Sequence, residues 1–319
     1  ALSSAAMRKL EVQLAGLRVD IISTRALTNG GRLIVCPADT RLDPVALYEL
    51  LARHRINIFE STPGLVTALM DHVWERGLDV SFLKLLILGS DSVSVAAFEK
   101  LRRRFGGSMR VLNSYGVTEA TIDTSFFESD GTPVPGAGTT PIGRPLGGAE
   151  FYVLDRQGEP APVGVAGEIY IGGLGVSRGY LGQPALTAER FVPHPFRPGQ
   201  RLYRSGDMGR WLPGGQMEFL GRSDDQVKVR GYRIELGEIE AVLGRCPGVE
   251  QVAVLAPDER PGERRLVAYV TGAAAEEIMV VEAGGRRREG VGAGEHVQDG
   301  REGGRTRCYS KHEKDDAVR

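Results

Sequence analysis

The sequence predicts an α/β protein in which a doubly wound parallel sheet is followed by an antiparallel β part and a small C-terminal α+β domain. Three observations predict this fold class. Strand and helix patterns alternate between Arg32 and Val111, as in parallel sheets with helical crossovers. After Gly131 the pattern changes to short apolar runs separated by glycine and proline, which is typical of antiparallel strands. The length of 319 residues corresponds to about two domains.

In the alternating half, helices have recognisable ends and strands are short apolar runs. Asp43 followed by Pro44 is an N-cap residue before a proline at the first helical position, which predicts a helix to about Arg55. From Pro63 the apolar residues keep helical spacing until Gly77 ends the pattern. The remaining predicted elements here are the strands Arg32–Cys36, Ile56–Ser61, Leu85–Leu88 and Met109–Leu112 and the helix Val95–Phe105.

The second half contains shorter elements. Its predicted antiparallel strands are Ala149–Leu154, Gly167–Gly172 and Gln216–Leu220. A polar run from Arg222 to Gln226 predicts a domain boundary near Ser223. Beyond it, one helix and two strands are enough for a small α+β domain, and they are Leu236–Leu243, Val249–Leu255 and Arg265–Val270.

We therefore divide the chain into four parts. Residues 1–25 show no clean period and form an atypical N-terminal segment, residues 26–223 form a large domain, and residues 224–271 form a small one. In residues 272–319 charged residues and glycines far outnumber large apolar ones. Such a segment cannot bury enough surface to offset its ordering entropy, so we expect a disordered tail.

Composition and charge disfavour several classes of partner. Forty basic and 41 acidic side chains give a net charge of −1, whereas proteins that bind nucleic acid or anionic membranes usually carry a basic surplus. No apolar run approaches the roughly 20 residues that span a bilayer. Cys36, Cys246 and Cys308 form neither a disulfide framework nor a zinc spacing. We expect a cytoplasmic protein that binds neither nucleic acid nor membrane.

Polar residues follow the strand Met109–Leu112, at the sheet edge where α/β proteins bind nucleotides. Tyr115 offers a face for a purine, and Asn113 offers a donor and an acceptor for the edge of the base. Thr118 offers a hydroxyl for phosphate, and Glu119 offers a hard oxygen ligand for Mg²⁺. Taken alone, such a segment is more often a polar turn without a ligand.

Two later segments add candidates. Asp207 follows the tight turn Tyr203–Gly206, where a carboxylate can accept hydrogen bonds from both ribose hydroxyls, although a surface turn aspartate is the alternative. Gly167–Leu181 is a strand running into a glycine-rich turn, which lets the backbone approach a ligand. The spacing is neither that of a dinucleotide fingerprint nor that of a Walker loop.

Together with Gly221–Glu240, these motifs resemble the adenylation domains of non-ribosomal peptide synthetases, within the adenylate-forming, AMP-binding enzyme superfamily. The family patterns NxYGPTEA, GELYIGGxGLARGYL, YRTGD and GRxDxQVKIRGxRIELGEIE are matched in family order at Asn113–Ala120, Gly167–Leu181, Tyr203–Asp207 and Gly221–Glu240. The resemblance covers about Ala26 to Val270 and is specific, because four long motifs in order leave little room for coincidence.

The resemblance implies part of a large adenylate-forming domain with a small, mobile C-terminal domain. ATP and an amino acid would give an aminoacyl-adenylate and pyrophosphate with the help of Mg²⁺. The acyl group would then pass to the phosphopantetheine thiol of a peptidyl carrier domain, and a condensation domain would be a further partner. Asp224 would be the hinge of the small domain. The implied nucleotide contacts are adenine with Asn113 and Tyr115, the α-phosphate with Thr118, Mg²⁺ with Glu119, and the ribose with Asp207 and Arg222.

The family's alignment also implies the positions that line the amino-acid pocket, which are Glu60, Ile87, Gly89, Ser114, Ile122 and Asp123. Two carboxylates in an otherwise small or apolar pocket are costly unless a cation pairs with them. We therefore expect a cationic substrate side chain, as in ornithine, with hydroxylated ornithine, diaminobutyrate or lysine as alternatives. The other interpretation is that one of the two carboxylates caps a turn and points outward.

The sequence departs from the family pattern at both ends. The phosphate loop with its lysine, a pattern like FDxS and the late lysine of a motif like NGKxD are not found in matching contexts. We therefore expect a domain that is incomplete at both ends, with a truncated small domain, and that adenylates poorly or not at all. Two alternatives stay open. One is a non-catalytic nucleotide-binding remnant, and the other is an acyl-CoA or aryl ligase of the same superfamily.

Overall fold

The computed structural model describes residues 26–283, apart from residues 38, 132–133, 135–137, 225, 230–231, 247, 261–262, 265 and 273–274. The chain divides into two compact units, Ala1–Asp224 and Asp225–Arg319. The predictions for residues 1–25 and for residues 284–319 lie outside the described residues.

The first unit contains a five-stranded sheet whose first three strands are parallel. In spatial order its strands are β1 (Ile58–Ser61), β2 (Leu85–Leu88), β3 (Arg110–Tyr115), β4 (Ser125–Glu128) and β5 (Arg144–Pro145), the last two antiparallel. Glu60 pairs with Ile87, and Leu88 pairs with Asn113. The carboxyl ends of the three parallel strands therefore meet at one edge of the sheet.

Three helices accompany this sheet, namely α1 (Pro44–His54), α2 (Pro63–Arg76) and α3 (Val95–Phe105). The Asp43 side chain accepts a hydrogen bond from the Val45 N–H and so caps α1, and Ser94 caps α3 in the same way. Gly77 ends α2 with a φ of 59°, a left-handed conformation that glycine adopts without strain. The helices and the sheet share one core, which includes Val66, Met70, Leu86, Leu88 and Phe98.

A second, antiparallel sheet carries the glycine-rich motifs. Its order is β10–β9–β7–β6 with β8 beside β9, where β6 is Ala149–Leu154, β7 is Gly167–Gly173, β8 is Phe191–Pro193, β9 is Arg201–Trp211 and β10 is Met217–Arg222. The short helix α4 (Pro184–Arg190) precedes β8. Ile169, Ile171, Tyr203 and Met217 are fully buried in its core, which also contains Tyr115 of β3. Tyr115 therefore connects the two sheets of the first unit.

The second unit has a hairpin, a helix and a small sheet. Its elements are β11 (Gln226–Val229), β12 (Tyr232–Glu235), α5 (Leu236–Leu243), β13 (Gln251–Leu255), β14 (Asp258–Arg260), β15 (Glu263–Arg264), β16 (Leu266–Gly272) and β17 (Ala275–Ala283). The sheet order is β13–β16–β17, all antiparallel. Leu236 of α5 packs with Val254 and Leu266 to form a core of its own.

The predicted α/β class with an antiparallel part and a small α+β domain is confirmed, and two details differ. Arg32–Cys36, which we predicted as a strand, forms no strand, and Val35 is 72% exposed. An apolar run becomes a strand only where a neighbouring strand offers backbone hydrogen-bond partners. No described strand pairs with Arg32–Cys36. The expected disorder from residue 272 is wrong for Ala275–Ala283, which pairs with β16. The apolar run Ile278–Val281 is typical of a strand. The prediction missed it because the charged residues in the rest of the tail dominated the average composition.

Candidate functional site

Tyr115 and Asp207 meet directly although they are 92 residues apart in the sequence. Tyr115 ends β3 and Asp207 lies on β9, and the Tyr115 hydroxyl donates a hydrogen bond to the Asp207 carboxylate. The Tyr115 ring packs edge-on against Phe151 and near Phe219. Burial and the neighbouring carboxylate raise the pKa of Tyr115 well above its ordinary value, so the hydroxyl stays protonated and remains a donor.

Arg222 joins Asp207 to Asp224. Arg222 stands opposite Asp207 in the β9–β10 register, and its Nη1 lies 2.5 Å from the Asp207 carboxylate. Its Nε and Nη2 each lie 2.7 Å from one oxygen of Asp224, a bidentate pair that fixes both groups. The side chains of Arg222 and Asp207 are only 9% and 2% exposed. The first unit therefore holds a chain of polar contacts that leads from Tyr115 through the buried Asp207 and Arg222 to its last residue, the partly exposed Asp224.

The segment before Asp207, which we predicted as a tight turn, is part of the strand β9, and its backbone orients the carboxylate. The Asp207 N–H donates to the Ser205 hydroxyl, which in turn donates to the carbonyl of Ile169. Gly206 has a φ of 76°, and a Cβ there would lie 2.6 Å from Nη2 of Arg222. Only glycine combines this conformation with so close an approach of the guanidinium.

Asn113 is buried near the end of β3, where its side-chain amide bonds to a neighbouring loop. Its Nδ2 donates to the carbonyls of Thr140 and Pro141, the second at 2.9 Å. The amide therefore positions the loop that precedes β5. Its predicted contact with adenine is not tested by this arrangement and stays a prediction.

Thr118 and Glu119 lie on a single 3-10 turn, Thr118–Ala120, that directly follows β3. Thr118 is exposed and Glu119 is buried. The Tyr180 hydroxyl donates to Oε1 of Glu119 at 2.7 Å, and the Ser177 N–H donates to the Glu119 carbonyl at 2.8 Å. Burial, followed by the hydrogen bond to Glu119, raises the pKa of Tyr180. The glycine-rich segment after β7 thus covers the turn that carries both predicted phosphate-site residues.

Four of the predicted pocket residues lie together at the ends of β1, β2 and β3. Ile87 is buried and pairs with Glu60 in the sheet. A Cβ added to Gly89 would lie 2.8 Å from the Ser114 hydroxyl oxygen and 3.5 Å from Oε1 of Glu60. Gly89, Ser114 and Glu60 therefore surround one small space.

Ile122 and Asp123 lie in the turn between Thr118–Ala120 and β4. Ile122 has a φ of 68°, and its carbonyl occupies the position that a Cβ on Gly116 would need. The turn is thus folded tightly onto the end of β3, which explains the glycine at position 116. Sequence reasoning placed Asp123 in the pocket, and this placement stays a prediction.

Sequence reasoning did not assign roles to Tyr180 and Ser205, which support Glu119 and Asp207. Both lie inside motifs that the sequence displays, Gly167–Leu181 and Tyr203–Asp207. A tyrosine or serine within such a motif is a signal for a supporting role. Ser205 supports a group two residues away on the same strand, whereas Tyr180 supports a group in a turn 61 residues earlier.

Within the part of the chain that the structure describes, there is no cluster of three or more His, Cys, Asp or Glu side chains arranged to hold a metal ion. In the same part, no helix is both long enough and apolar enough to cross a membrane.

A parallel sheet with polar side chains at the carboxyl ends of its strands is the arrangement of an α/β nucleotide-binding protein, and here a buried carboxylate of the second sheet meets those ends. The comparison with known proteins is more specific. The chain belongs to the AMP-binding enzyme family. The sequence pattern of that family, described as "AMP-binding enzyme", matches residues 19–181, and that of the "AMP-binding enzyme C-terminal domain" matches residues 238–288.

The chain is similar to parts of very long proteins. It is 51% identical over 262 residues to tyrocidine synthase 3 of Brevibacillus parabrevis, which covers 81% of this chain and 4% of that protein. It is 50% identical over 246 residues to gramicidin S synthase 2 of Aneurinibacillus migulanus, covering 77% of this chain and 6% of that protein. The chain thus spans only a small fraction of the length of these relatives.

Two solved structures are similar to this chain in fold at moderate sequence identity. One is PA1221, an NRPS protein containing adenylation and PCP domains, with a TM-score of 0.68 and 32% identity over 79% of this chain and 50% of that chain. Another is IdnL1, with a TM-score of 0.67 and 26% identity over 79% of this chain and 51% of that chain.

Proposed function

We propose that this chain is the amino-acid-activating part of a non-ribosomal peptide synthetase. It would convert ATP and an amino acid to an aminoacyl-adenylate and pyrophosphate. The acyl group would then pass to the phosphopantetheine thiol of a carrier domain and on to a condensation domain. The observation that carries the proposal is the hydrogen bond between Tyr115 and Asp207. These are the two side chains that must contact one nucleotide, and they lie closer together than the span of an adenosine.

For the nucleoside, Asp207 supplies the sugar contact and β3 supplies the base contact. A carboxylate held by Arg222 and Tyr115 has its oxygens fixed in direction, so it can accept from the two ribose hydroxyls without reorganising. Asn113 and Tyr115 would contact the adenine. Preorganisation of this kind lowers the entropic cost of binding.

For the phosphates, the turn Thr118–Ala120 offers a hydroxyl and a carboxylate. Glu119 fits Mg²⁺, because this ion prefers oxygen ligands and is usually held by one or two carboxylates together with substrate phosphates. When bound, Mg²⁺ would neutralise charge that develops on the phosphates. Thr118 would donate its hydroxyl hydrogen to the α-phosphate, and Glu119 would hold the ion.

For the substrate, the space around Gly89 favours a small amino acid with a positive charge at its end. The partly buried Glu60 carboxylate lies at this space beside the Ser114 hydroxyl, and a carboxylate that is partly removed from water is stabilised by a cation. The absence of a side chain at Gly89 leaves room for a linear chain. We therefore propose ornithine or a similar cationic amino acid, with Asp123 as the second carboxylate and Ile87 and Ile122 as apolar walls.

Asp224 would be the hinge about which the small domain rotates between adenylation and acyl transfer. It is the last residue of the first unit, and its carboxylate is held by Arg222. A residue at such a division can absorb the change in backbone angles that a domain rotation requires. We propose the cytoplasm as the location of the reaction, which the free thiols of Cys36 and Cys246 support.

The test is binding and exchange measured side by side. Calorimetry with ornithyl-sulfamoyl-adenosine, a stable mimic of the adenylate, should show saturable binding. The leucyl mimic should bind at least about tenfold more weakly because its side chain offers Glu60 no charge-assisted hydrogen bond. ATP–pyrophosphate exchange with ornithine then measures turnover. Binding of the mimic without exchange identifies a non-catalytic remnant. Equal binding of both mimics contradicts the cationic substrate, and binding of neither contradicts the proposed function.

A further inference from the structure

Tyr180 connects the glycine-rich segment to the turn that carries Glu119. Its hydroxyl lies 2.7 Å from Oε1 of Glu119, across 61 residues of sequence. Two more bonds join the same two segments, from the Ser177 N–H to the Glu119 carbonyl and from the Thr121 hydroxyl to the Gly175 carbonyl. Of these three contacts, only the one from Tyr180 reaches the carboxylate.

Tyr180 is itself held in place by its surroundings. Its ring packs edge-on against Phe191 at 5.4 Å, and its backbone N–H donates to the Thr187 hydroxyl at 2.9 Å. Gly179 has a φ of 138°, and a Cβ there would lie 2.3 Å from the Thr187 side chain. The backbone at Gly179 therefore approaches α4 more closely than a residue with a Cβ would allow. This close approach fixes the position of the neighbouring Tyr180 and of its hydroxyl.

A phenol has a particular effect on a carboxylate. It fixes one carboxylate oxygen with a strong hydrogen bond and adds no positive charge, whereas a guanidinium would partly cancel the negative charge. In the first unit, Asp207 is held by the Arg222 guanidinium together with the Tyr115 phenol, whereas Glu119 accepts from the Tyr180 phenol. The first suits a carboxylate that accepts from hydroxyl groups, and the second suits one that binds a cation.

We propose that Tyr180 is a positioning residue that orients the Glu119 carboxylate for a divalent cation on the bound nucleotide. The inference rests on the proposed function, because it takes Glu119 as the ligand of Mg²⁺. Tyr180 touches neither the ion nor the nucleotide. Its role is to fix the carboxylate before the ion arrives, as outer-shell hydrogen bonds commonly do at metal sites.

The test measures the Mg²⁺ requirement of nucleotide binding in the full chain. Calorimetric titrations with α,β-methylene-ATP at increasing MgCl₂ give the Mg²⁺ concentration at half-maximal affinity. Titration with AMP in the absence of Mg²⁺ reports the nucleoside and α-phosphate contacts without the ion. For Tyr180→Phe we expect the half-maximal Mg²⁺ concentration to rise about tenfold, while AMP affinity stays within about twofold.

Thr121→Val is the matched control. It removes a hydroxyl that joins the same two segments without touching Glu119, and valine keeps the shape of threonine. It should leave both the Mg²⁺ requirement and AMP affinity unchanged. If Thr121→Val shifts the Mg²⁺ requirement as much as Tyr180→Phe does, or if Tyr180→Phe weakens AMP to the same extent, the tyrosine is merely structural.

The outcomes also separate this inference from the proposed function. If the wild-type chain binds the Mg²⁺–nucleotide and Tyr180→Phe has the wild-type Mg²⁺ requirement, only the role of Tyr180 is contradicted. If the wild-type chain binds no nucleotide at any Mg²⁺ concentration, both are contradicted. Glu119→Gln provides the reference for a lost ligand, and Tyr180→Phe should lie between it and the wild type.

Discussion

Replacing Asp207 by asparagine should destabilise the first unit as well as weaken nucleotide binding. The Asp207 carboxylate accepts hydrogen bonds from the Tyr115 hydroxyl and from Nη1 of Arg222. Asparagine has the same shape but offers a single acceptor oxygen, and its NH₂ group would face a donor. The variant therefore loses one charge-assisted hydrogen bond and leaves one buried donor without an acceptor.

The magnitude follows from these contacts. A hydrogen bond to a charged group contributes about 1.5–3 kcal/mol. Arg222 keeps its bidentate pair with Asp224, so the full cost of an unpaired buried charge does not arise. We expect the free energy of unfolding to fall by about 2–3 kcal/mol. For a unit of this size, the melting temperature should then fall by about 4–12 °C.

Tryptophan fluorescence during denaturation is the appropriate measurement. The chain has two tryptophans, Trp74 and Trp211, and both lie in the first unit. The signal therefore follows that unit alone.

The matched control is Glu218→Gln, which alters a second arginine–carboxylate pair between the same two strands. Glu218 pairs with Arg210 across β9 and β10 at 2.6 Å, but the Arg210 side chain is 41% exposed. An exposed pair contributes about 1 kcal/mol or less. Equal losses for Glu218→Gln and Asp207→Asn, or no loss for Asp207→Asn, would refute the assignment of Asp207 to a buried and structurally important charge.

Two other predictions concern the substrate pocket and a buried histidine. Gly89→Ala places a methyl group 2.8 Å from the Ser114 hydroxyl oxygen, so ornithyl-sulfamoyl-adenosine should bind about tenfold more weakly by calorimetry, with AMP affinity unchanged. Burial lowers the pKa of His194, whose Nδ1 accepts the Phe196 N–H. The unfolded state therefore takes up the proton at a higher pH than the folded state, so the free energy of unfolding should fall as the pH decreases below about 6.5. Asparagine keeps an acceptor but does not titrate, so the free energy of unfolding of His194→Asn should lack this part of the pH dependence. An unchanged affinity of Gly89→Ala for the mimic would contradict the first prediction. The same pH dependence of unfolding in the wild type and in His194→Asn would contradict the second.

Elements with local signals could be predicted from the sequence. The Asp43–Pro44 pair marks the start of α1, because a cap is a contact between residues two or three positions apart. Arg32–Cys36 shows the limit of this reasoning. A strand depends on a hydrogen-bonded neighbour as well as on its own apolar residues.

The candidate site, like the fold, could be predicted from the sequence only in part. The resemblance to a family supplied the candidate roles of Tyr115 and Asp207, but no local pattern indicates that the two side chains bond to each other across 92 residues. The contact of Tyr180 with Glu119 is hidden for the same reason. Such contacts depend on how β3 and the second sheet pack together, which is a property of the whole unit.

The most direct test of the account compares AMP with 2′,3′-dideoxy-AMP by calorimetry in the wild-type chain and in Asp207→Asn. If Asp207 holds the ribose beside Tyr115, the wild type should bind AMP at least about tenfold more tightly than the dideoxy analogue, because the lost hydrogen bonds involve a charged acceptor. Asp207→Asn should bind the two with similar, weaker affinity. Equal affinity of the wild type for both nucleotides would contradict the account.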